Sequence, residues 1–167
     1  RLRRPAQARP GPGRGRHVNV HWLVFAEAAS ALDATRLQAE GVHSARLGTD
    51  ATLFRGPLEA LKRERGYVEE DVVALSPATP NLDALTAQFL DEHHHDDDEV
   101  RFVLEGEGIF DIRSNDDRWM RVFVERGDLI VVPAKRHHRF MLTEKKLIRC
   151  VRLFKDTTGW VPHYRAA

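Results

Sequence analysis

The chain has 167 residues, of which 42% are hydrophobic and 31% charged, and its formal net charge is +1. This length and composition predict one soluble globular domain with a buried core. No apolar run approaches the roughly 18 residues of a membrane span, so membrane insertion is not expected. The single cysteine, Cys150, excludes an internal disulfide bond and favours a reducing compartment. We therefore expect a cytoplasmic protein.

The first 16 residues differ in composition from the rest of the chain. They hold six of the 26 Lys and Arg residues and no acid, which leaves 20 basic against 25 acidic residues in the remainder. An Arg-, Pro- and Gly-rich segment of this kind buries too little apolar surface to fold. Residues 1–16 are expected to be a disordered basic arm or residues foreign to the native protein. Nucleic-acid binding is not expected, because no aromatic residues are interleaved for base stacking.

The predicted elements of the front half are one strand and several helices. Residues 18–25 alternate and then become apolar, which predicts a strand. Residues 26–40 are rich in Ala and Leu and predict a helix that ends at the following glycine. A short helix is predicted around residues 57–62, with its proline near the first turn and Gly66 after its end. Residues 69–75 are a candidate for a further helix.

The clearest helix follows a proline at position 80. Leu82, Leu85 and Phe89 recur at helical spacing, and Asn81 is placed to cap the first turn. The chain then changes to short β-rich runs separated by turn residues. The predicted strands are 100–104, 108–113, 119–124, 129–132, 138–142 and 147–154. This order predicts a mainly β fold with helices in the N-terminal half, an antiparallel β-barrel or jelly roll.

A histidine-rich, acidic segment, EHHHDDDE, stands between the helix and these strands. On an extended strand His93 and His95 leave the same face, whereas a helix would separate them by about 200°. A turn at residues 96–98 can then bring Glu99 back on a paired strand. Such a segment can also be a solvated low-complexity run. The β-rich sequence directly after Glu99 favours a metal site, because imidazole and carboxylate are ligands of divalent transition metals.

A second short motif supplies a fourth candidate ligand. Gly127 opens a turn and an apolar strand that stops at Pro133, and two histidines, His137 and His138, follow. Either histidine could point into the mouth of the same barrel as the first three candidate ligands.

Together the two motifs resemble the paired signature of the cupin superfamily. The first reads H-x-H-x3-E-x6-G from His93 to Gly106, and the second reads G-x5-P-x4-H from Gly127 to His138. A narrower resemblance, to the acireductone dioxygenase family, is carried by EHHHDDDEVRFVLEGEGIFDIR, by WMRVFV and GDLIVVPA, and by HRF, VRLF and the late GW. It covers roughly residues 66–160, and we expect one cupin domain over residues 17–167.

The family resemblance implies a role for each matching residue. The metal ligands would be His93, His95, Glu99 and His138, with the HRF match favouring His138 over His137. Arg101 and Arg152 match arginines expected to face the substrate enediolate, and Phe102, Phe140 and Trp160 match aromatic residues near the pocket. Without the resemblance these residues allow simpler interpretations. Arg101 could pair with Glu99 or Asp111, Arg152 could face solvent, and the three aromatic residues could be ordinary core.

The sequence departs from the family pattern just before the fourth ligand. The family usually has a Pro-Ala-Gly turn followed by an apolar and an aromatic residue, whereas this chain has Pro133-Ala134-Lys135-Arg136-His137. A glycine adopts positive φ at little steric cost. Lys135 must therefore tolerate that conformation, or the turn differs. Two cations and a histidine near the pocket rim could also alter substrate fit.

The activity implied by the resemblance is metal-dependent dioxygenation in methionine salvage. One Fe(II) or Ni(II) ion per chain would bind the acireductone 1,2-dihydroxy-5-(methylthio)pent-1-en-3-one, which reacts with O2. We expect a monomer whose partners are this small molecule and O2, with no membrane partner. The alternatives are another cupin dioxygenase or isomerase with the same metal site, a non-catalytic cupin, and a structural zinc site closed by four ligands.

Overall fold

In the computed structural model, which describes residues 19–22, 31–32 and 34–166, antiparallel strands form two sheets and helices pack outside them. The described helices are α1 (Ala34–Ala39), α2 (Ala51–Arg65) and α3 (Leu82–Leu90), with a 3-10 turn at Thr157–Trp160. The described strands are β1 (Asn19–Trp22), β2 (Ala31–Leu32), β3 (His43–Arg46), β4 (Glu69–Leu75), β5 (His93–His94), β6 (Glu99–Arg113), β7 (Trp119–Glu125), β8 (Asp128–Val132), β9 (His138–Leu142), β10 (Ile148–Phe154) and β11 (His163–Tyr164).

The two sheets share β6, the longest strand. Its first half lies between β8 and β10, and β3 and β4 extend this sheet on either side. Its second half lies between β7 and β9, in a sheet ordered β2-β1-β7-β6-β9-β5-β11. The mainly β, antiparallel fold predicted from the sequence is confirmed.

The apolar side chains form two separate cores. The core between the sheets contains residues such as Val103, Phe110, Ile130 and Cys150. The second core lies under α2 and contains Phe54, Leu58 and Leu61 from that helix, together with Val100, Phe102, Val131 and Val151 from the strands. Alternate residues of β6, β8 and β10 therefore enter different cores, as strand geometry requires.

The bend of β6 occurs at Gly106. The sequence predicted two strands here, over 100–104 and 108–113, whereas the structure has one strand that passes from one sheet to the other. Gly106 has φ +78°, a left-handed conformation that favours glycine. Along a regular strand, only every second residue faces the same side. Val103 before the bend and Phe110 and Ile112 after it all enter one core, although an odd number of positions separates Val103 from each of the others. The alternation therefore shifts by one residue at the bend.

Replacing Gly106 with alanine is expected to lower the free energy of unfolding by about 2 kcal/mol, a typical value for a residue held in strained backbone. A Cβ there would lie 2.0 Å from the carbonyl oxygen of Leu147, in addition to the unfavourable φ. Chemical denaturation would measure the change. Gly56→Ala is the matched control, because Gly56 lies inside α2 with nothing within 4 Å of an added Cβ. This control should gain about 1 kcal/mol from helix propensity. A midpoint for Gly106→Ala equal to that of the unmodified protein would contradict the assigned bend.

Several predictions about the helices and their ends differ from the structure. α2 spans 15 residues and encloses Pro57 well beyond its first turn, although Gly66 does follow its end, with φ +77°. Residues 69–75 form β4 rather than a helix, because they pair along their whole length with β10. Asn81 precedes α3 with φ +55° and its side chain makes no capping hydrogen bond.

The N-terminal predictions are only partly covered by the described residues. Of the strand predicted over 18–25, residues 19–22 form β1, and the others lie outside the described residues. Of the helix predicted over 26–40, residues 34–39 form α1 and residues 31–32 form β2 instead, while 26–30 and 33 lie outside the described residues. The predicted arm, residues 1–16, lies outside the described residues. Among the helices that the structure describes, none has the length and apolar character needed to cross a membrane.

Candidate metal centre

Four candidate ligands meet where the shared strand begins. His93 lies on β5, His95 follows that strand, Glu99 opens β6, and His138 opens β9. His93 and His138 are direct partners in the β5–β9 pair. In the sheet order β9 separates β5 from β6, so the strands of His93 and Glu99 are not neighbours, contrary to the prediction. The pairing of β5 with β9 thus joins the two sequence motifs.

The ligand atoms of these four residues converge. One nitrogen or oxygen atom from each lies within 4.8 Å of the others. A single oxygen of Glu99, Oε2, is 2.9 Å from His138 Nε2 and 3.3 Å from His95 Nε2. Ligand atoms about 2.1 Å from one ion are at most about 4.2 Å apart, so small movements would complete the coordination. Within the described part of the chain, no other His, Cys, Asp or Glu group meets this criterion. The four residues form a metal-binding site.

Backbone carbonyls orient the three imidazoles. The Nδ1 atoms of His93 and His138 lie 2.6 Å and 2.8 Å from the carbonyl oxygens of Asp91 and Arg136. His95 Nδ1 lies 3.4 Å from the carbonyl oxygen of Val161. A carbonyl can only accept, so each Nδ1 donates its proton to the backbone, and Nε2 is the nitrogen of each ring that would bind an ion. In His138 the Nε2 atom lies 2.9 Å from Glu99 Oε2, so a bound ion would take the place of the proton that these two atoms share.

Burial and charge act together at the centre. Glu99 and His138 are 8% and 2% exposed. Burial alone would raise the pKa of Glu99, but Arg101, His138 and His95 hold it well below its usual value. Burial would lower the pKa of His138, and the Glu99 carboxylate raises it above its usual value. The pKa of His93 is lowered, chiefly by burial. A bound cation would compensate the negative charge of this buried carboxylate.

A cavity of about 270 Å³ opens beside the four ligands. Its other walls are mostly apolar and aromatic, which is typical of a small-molecule site with few polar groups. Besides the ligands, the cavity is lined by Val73, Leu75, Gln88, Phe89, Arg101, Phe110, Phe140, Ile148, Cys150, Arg152, Trp160, Pro162 and Tyr164. Burial raises the pKa of the Cys150 thiol to about 11, so this residue is a neutral part of the wall.

Both predicted arginines line this cavity, side by side on paired strands. Arg101 on β6 is the register partner of Arg152 on β10. Arg101 lies 3.2 Å from Glu99 Oε1 and donates to the carbonyl of Val100. Its carboxylate partner is therefore a metal ligand. Asp111, the other partner considered for Arg101, instead accepts from Arg121 and Arg139.

Arg152 does not face open solvent. Its guanidinium donates to both carboxylate oxygens of Asp71, with Nε 2.7 Å from Oδ1. The hydrogen bond from Arg152 lowers the pKa of Asp71. The opposite side of the guanidinium lies 4.0 Å from the centre of the Trp160 ring. Asp71 and Trp160 together fix the charge of Arg152 at the cavity wall.

The predicted aromatic residues fall in two different places. Phe140 and Trp160 line the cavity. Phe102 does not: it is 1% exposed in the core beneath α2, with its ring centre 5.0 Å from that of Phe54. Phe102 is three residues from Glu99 on one strand, so it faces the opposite side of the sheet. This alternation was available from the sequence and would have corrected the prediction.

Several further residues of the site were not predicted from the sequence: three in the cavity wall and one that holds Arg152. Phe110 follows the bend at Gly106, which changed the inward-facing alternation. Phe89 comes from the apolar face of α3, and Asp71, the partner of Arg152, comes from the segment predicted as a helix. Tyr164 belongs to β11, whose pairing with β5 has no local sequence signal.

The unusual turn before His138 adopts the conformation expected of a glycine. Lys135 has φ +62°, and its amide donates to the carbonyl of His95 at 2.7 Å. Arg136 bonds away from the cavity, to the carbonyls of Arg113 and Glu40. The ring of His137 packs against His94, 4.9 Å between centres. These substitutions therefore do not add charges to the cavity wall, and His138, not His137, joins the metal centre.

Lys135→Gly is expected to raise the free energy of unfolding by about 0.5 kcal/mol. A left-handed conformation costs an L-residue roughly 1–2 kcal/mol, and the greater freedom of glycine in the unfolded chain removes about half of the gain. Urea denaturation of the metal-free protein would measure the difference. Lys135→Ala is the control, because it shortens the side chain and keeps the strained φ. A gain with alanine equal to that with glycine would show that the backbone conformation is not the cause.

Two antiparallel sheets that carry three histidines and one glutamate at the edge of an apolar cavity define a cupin-type metalloprotein. Comparison with known proteins gives the particular family. The sequence matches the ARD/ARD' family over residues 21–162. The chain belongs to this family, which confirms the resemblance seen in the motifs.

Individual relatives agree with this membership. An acireductone dioxygenase of Heterostelium pallidum is 51% identical over 109 residues, which cover 65% of this chain and 75% of the relative. One of Xenopus tropicalis is 39% identical over 133 residues, covering 79% and 74% of the two chains. A solved acireductone dioxygenase from Bacillus anthracis, with a cadmium ion in its active centre, superposes with a TM-score of 0.81 at 32% identity. The superposition covers 90% of this chain and 100% of the other.

Proposed function

We propose that the protein is a metal-dependent acireductone dioxygenase of methionine salvage. Its substrate would be 1,2-dihydroxy-5-(methylthio)pent-1-en-3-one, cleaved by reaction with O2. The observation that carries the proposal is the placement of Arg101 and Arg152 on the same cavity wall as the four-ligand metal centre. The family relatives named above support the same activity.

The ligand set suits a bidentate substrate. Four protein ligands on an octahedral ion leave two positions open, which two oxygen atoms of a cis-enediolate can take. A bound divalent ion would supply Lewis acidity and a template for the substrate oxygens. We propose iron or nickel as the ion, one per chain. By the family pattern, the iron form is expected to release formate and 4-methylthio-2-oxobutanoate. The nickel form is expected to release formate, carbon monoxide and 3-(methylthio)propanoate.

The chain's own residues would bind and orient the substrate. Arg101 and Arg152 place two positive charges where the enediolate would lie, which favours the ionised substrate. Asp71 and the Trp160 ring restrict the Arg152 side chain, so less conformational entropy is lost when substrate binds. The apolar wall of Phe89, Phe110 and Phe140 is suited to the methylthio end of the molecule and to excluding water.

The proposal also includes the state of the protein in the cell. We expect a monomer, and a cytoplasmic location because the one cysteine is a buried thiol that forms no disulfide. The small acireductone and O2 would be its partners, with no nucleic acid among them.

Anaerobic reconstitution tests the activity. The metal-free protein is loaded with Fe(II) or Ni(II), mixed with the acireductone, and exposed to O2. Formate should appear with both ions, and carbon monoxide only with nickel. Formate with neither ion would overturn the proposal. The same protein without added metal is the control, and it should release formate no faster than the spontaneous oxidation of the substrate in buffer.

A further inference from the structure

The side chain of Asp98 lies between the two segments that supply the metal ligands. Asp98 directly precedes Glu99, at the end of the loop that begins with His95. Its Oδ1 accepts a hydrogen bond from the amide of Ala134 at 2.9 Å. Ala134 belongs to the turn that leads into His138. One carboxylate therefore joins the loop of the first three ligands to the turn of the fourth.

The second oxygen of Asp98 is held from outside the site. Oδ2 accepts from the hydroxyl of Tyr67 and lies 3.4 Å from the guanidinium of Arg65. Tyr67 is 3% exposed, and burial together with Asp98 raises the pKa of its hydroxyl, which remains a donor. Asp98 is thus anchored to the end of α2 while its other oxygen reaches the turn. Rigid support of this kind fixes the position of neighbouring groups.

A second hydrogen bond acts beside it. The amide of Lys135 donates to the carbonyl of His95 at 2.7 Å, which is possible because Lys135 adopts positive φ. The loop and the turn therefore touch at two points, one through a side chain and one through the backbone alone. Only the side-chain link can be removed by substitution without changing the backbone.

We propose that Asp98 is a positioning residue for the metal centre, and that its carboxylate holds the turn before His138 against the loop of His95 and Glu99. With this link in place, the four ligands converge before an ion arrives. Without it, the ion must order both segments on binding, and the affinity falls. Residues outside the ligand set that orient metal ligands typically contribute about 10–100-fold in affinity.

The charge of Asp98 offers a different explanation, since an anion near the centre would attract any cation. The variant Asp98→Asn distinguishes the positioning role from an effect of charge. The asparagine's amide oxygen can accept from Ala134 and its amide nitrogen can donate to the Tyr67 oxygen, so Asp98→Asn keeps the link to the turn and loses the charge, together with the ion pair to Arg65. Asp98→Ala loses both. The positioning role predicts a large difference between the two variants, whereas a charge effect predicts none.

The test is titration of Ni(II) into the metal-free protein, followed by calorimetry and without substrate. Its outcome therefore does not depend on the proposed dioxygenase reaction. Asp98→Ala should bind Ni(II) about 10–100-fold more weakly, and Asp98→Asn within about threefold of the unmodified protein. The absorption bands of bound Co(II), which report ligand geometry, should change in Asp98→Ala and return towards normal in Asp98→Asn. Equal losses in the two variants, or no loss in Asp98→Ala, would overturn the proposal.

Two further variants separate positioning from general destabilisation. Asp116→Ala removes a carboxylate from an exposed loop, where the side chain is 72% exposed, and should bind Ni(II) normally. Tyr67→Phe removes one of the two donors to Asp98 Oδ2, leaves Arg65 in place, and should weaken binding severalfold. If Asp98→Ala does not fold, Tyr67→Phe with Asp98→Asn carries the test. Unchanged affinity in Tyr67→Phe would then contradict the proposal.

Discussion

Replacing His95 with alanine is expected to lower the affinity for Fe(II) or Ni(II) by more than about 100-fold, since even residues that only orient metal ligands contribute about 10–100-fold. His95 contributes one of the three imidazoles, and its Nε2 lies 3.3 Å from the Glu99 oxygen that also faces His138. The purified variant should contain almost no metal after dialysis against buffer. Elemental analysis for each ion per chain would measure this directly.

His94 offers a matched control one residue away. Its side chain leaves the opposite side of the strand and stacks on His163, with 4.9 Å between ring centres. His94→Ala should therefore retain the metal content of the unmodified protein. If His95→Ala also retained it, the ligand set assigned here would be wrong. Loss of metal in both variants would instead indicate that the segment as a whole had become disordered, which circular dichroism would reveal.

The metal centre could be predicted from the sequence because its information is local. His93 and His95 are two residues apart, so extended backbone alone puts both side chains on one side. The strand over 138–142 was predicted with the correct limits, and His138 opens it. Only the family motif was then needed to predict that the segment of His93, His95 and Glu99 and the segment of His138 meet at one site.

Residues that depend on pairing between distant strands could not be predicted in the same way. Gly106 falls between the predicted strands 100–104 and 108–113, although it bends one continuous strand between two sheets. Residues 69–75 were a candidate for a helix, and only their pairing with β10 shows that they form a strand. Asp71 was missed with them, although it fixes Arg152. Long-range partners of this kind leave no periodic signal in the chain itself.

Phe102 shows a different kind of error. The family resemblance placed it near the pocket, whereas the alternation along β6 sends it beneath α2. Arg101, one residue earlier, faces the cavity for the same geometric reason. Where a family motif and strand alternation disagree on the direction of a side chain, the local geometry was the better guide here.

Arg101→Gln is expected to lower kcat/KM for the acireductone by about 10³-fold, the upper range for removing one charged donor from a site where negative charge develops. Arg101 lines the cavity and lies 3.2 Å from Glu99, so it faces both the bound substrate and a metal ligand. Steady-state formate release by the iron-loaded variant would measure the loss. Arg101→Lys should recover part of it, since lysine restores the charge without the planar pair of donors.

Arg149→Gln is the control for this substitution. Arg149 lies on β10 near the register partner of Arg101, but it is exposed and pairs with Glu105 at 3.4 Å. It should keep normal kcat/KM.

The metal content of the Arg101→Gln variant distinguishes two roles of Arg101, contact with the substrate and support of Glu99, because its guanidinium also lowers the pKa of Glu99. An Arg101→Gln variant that keeps its iron and loses activity supports contact with the substrate. A variant that loses both would show that Arg101 acts mainly through Glu99, and one that keeps both would remove it from the proposed mechanism.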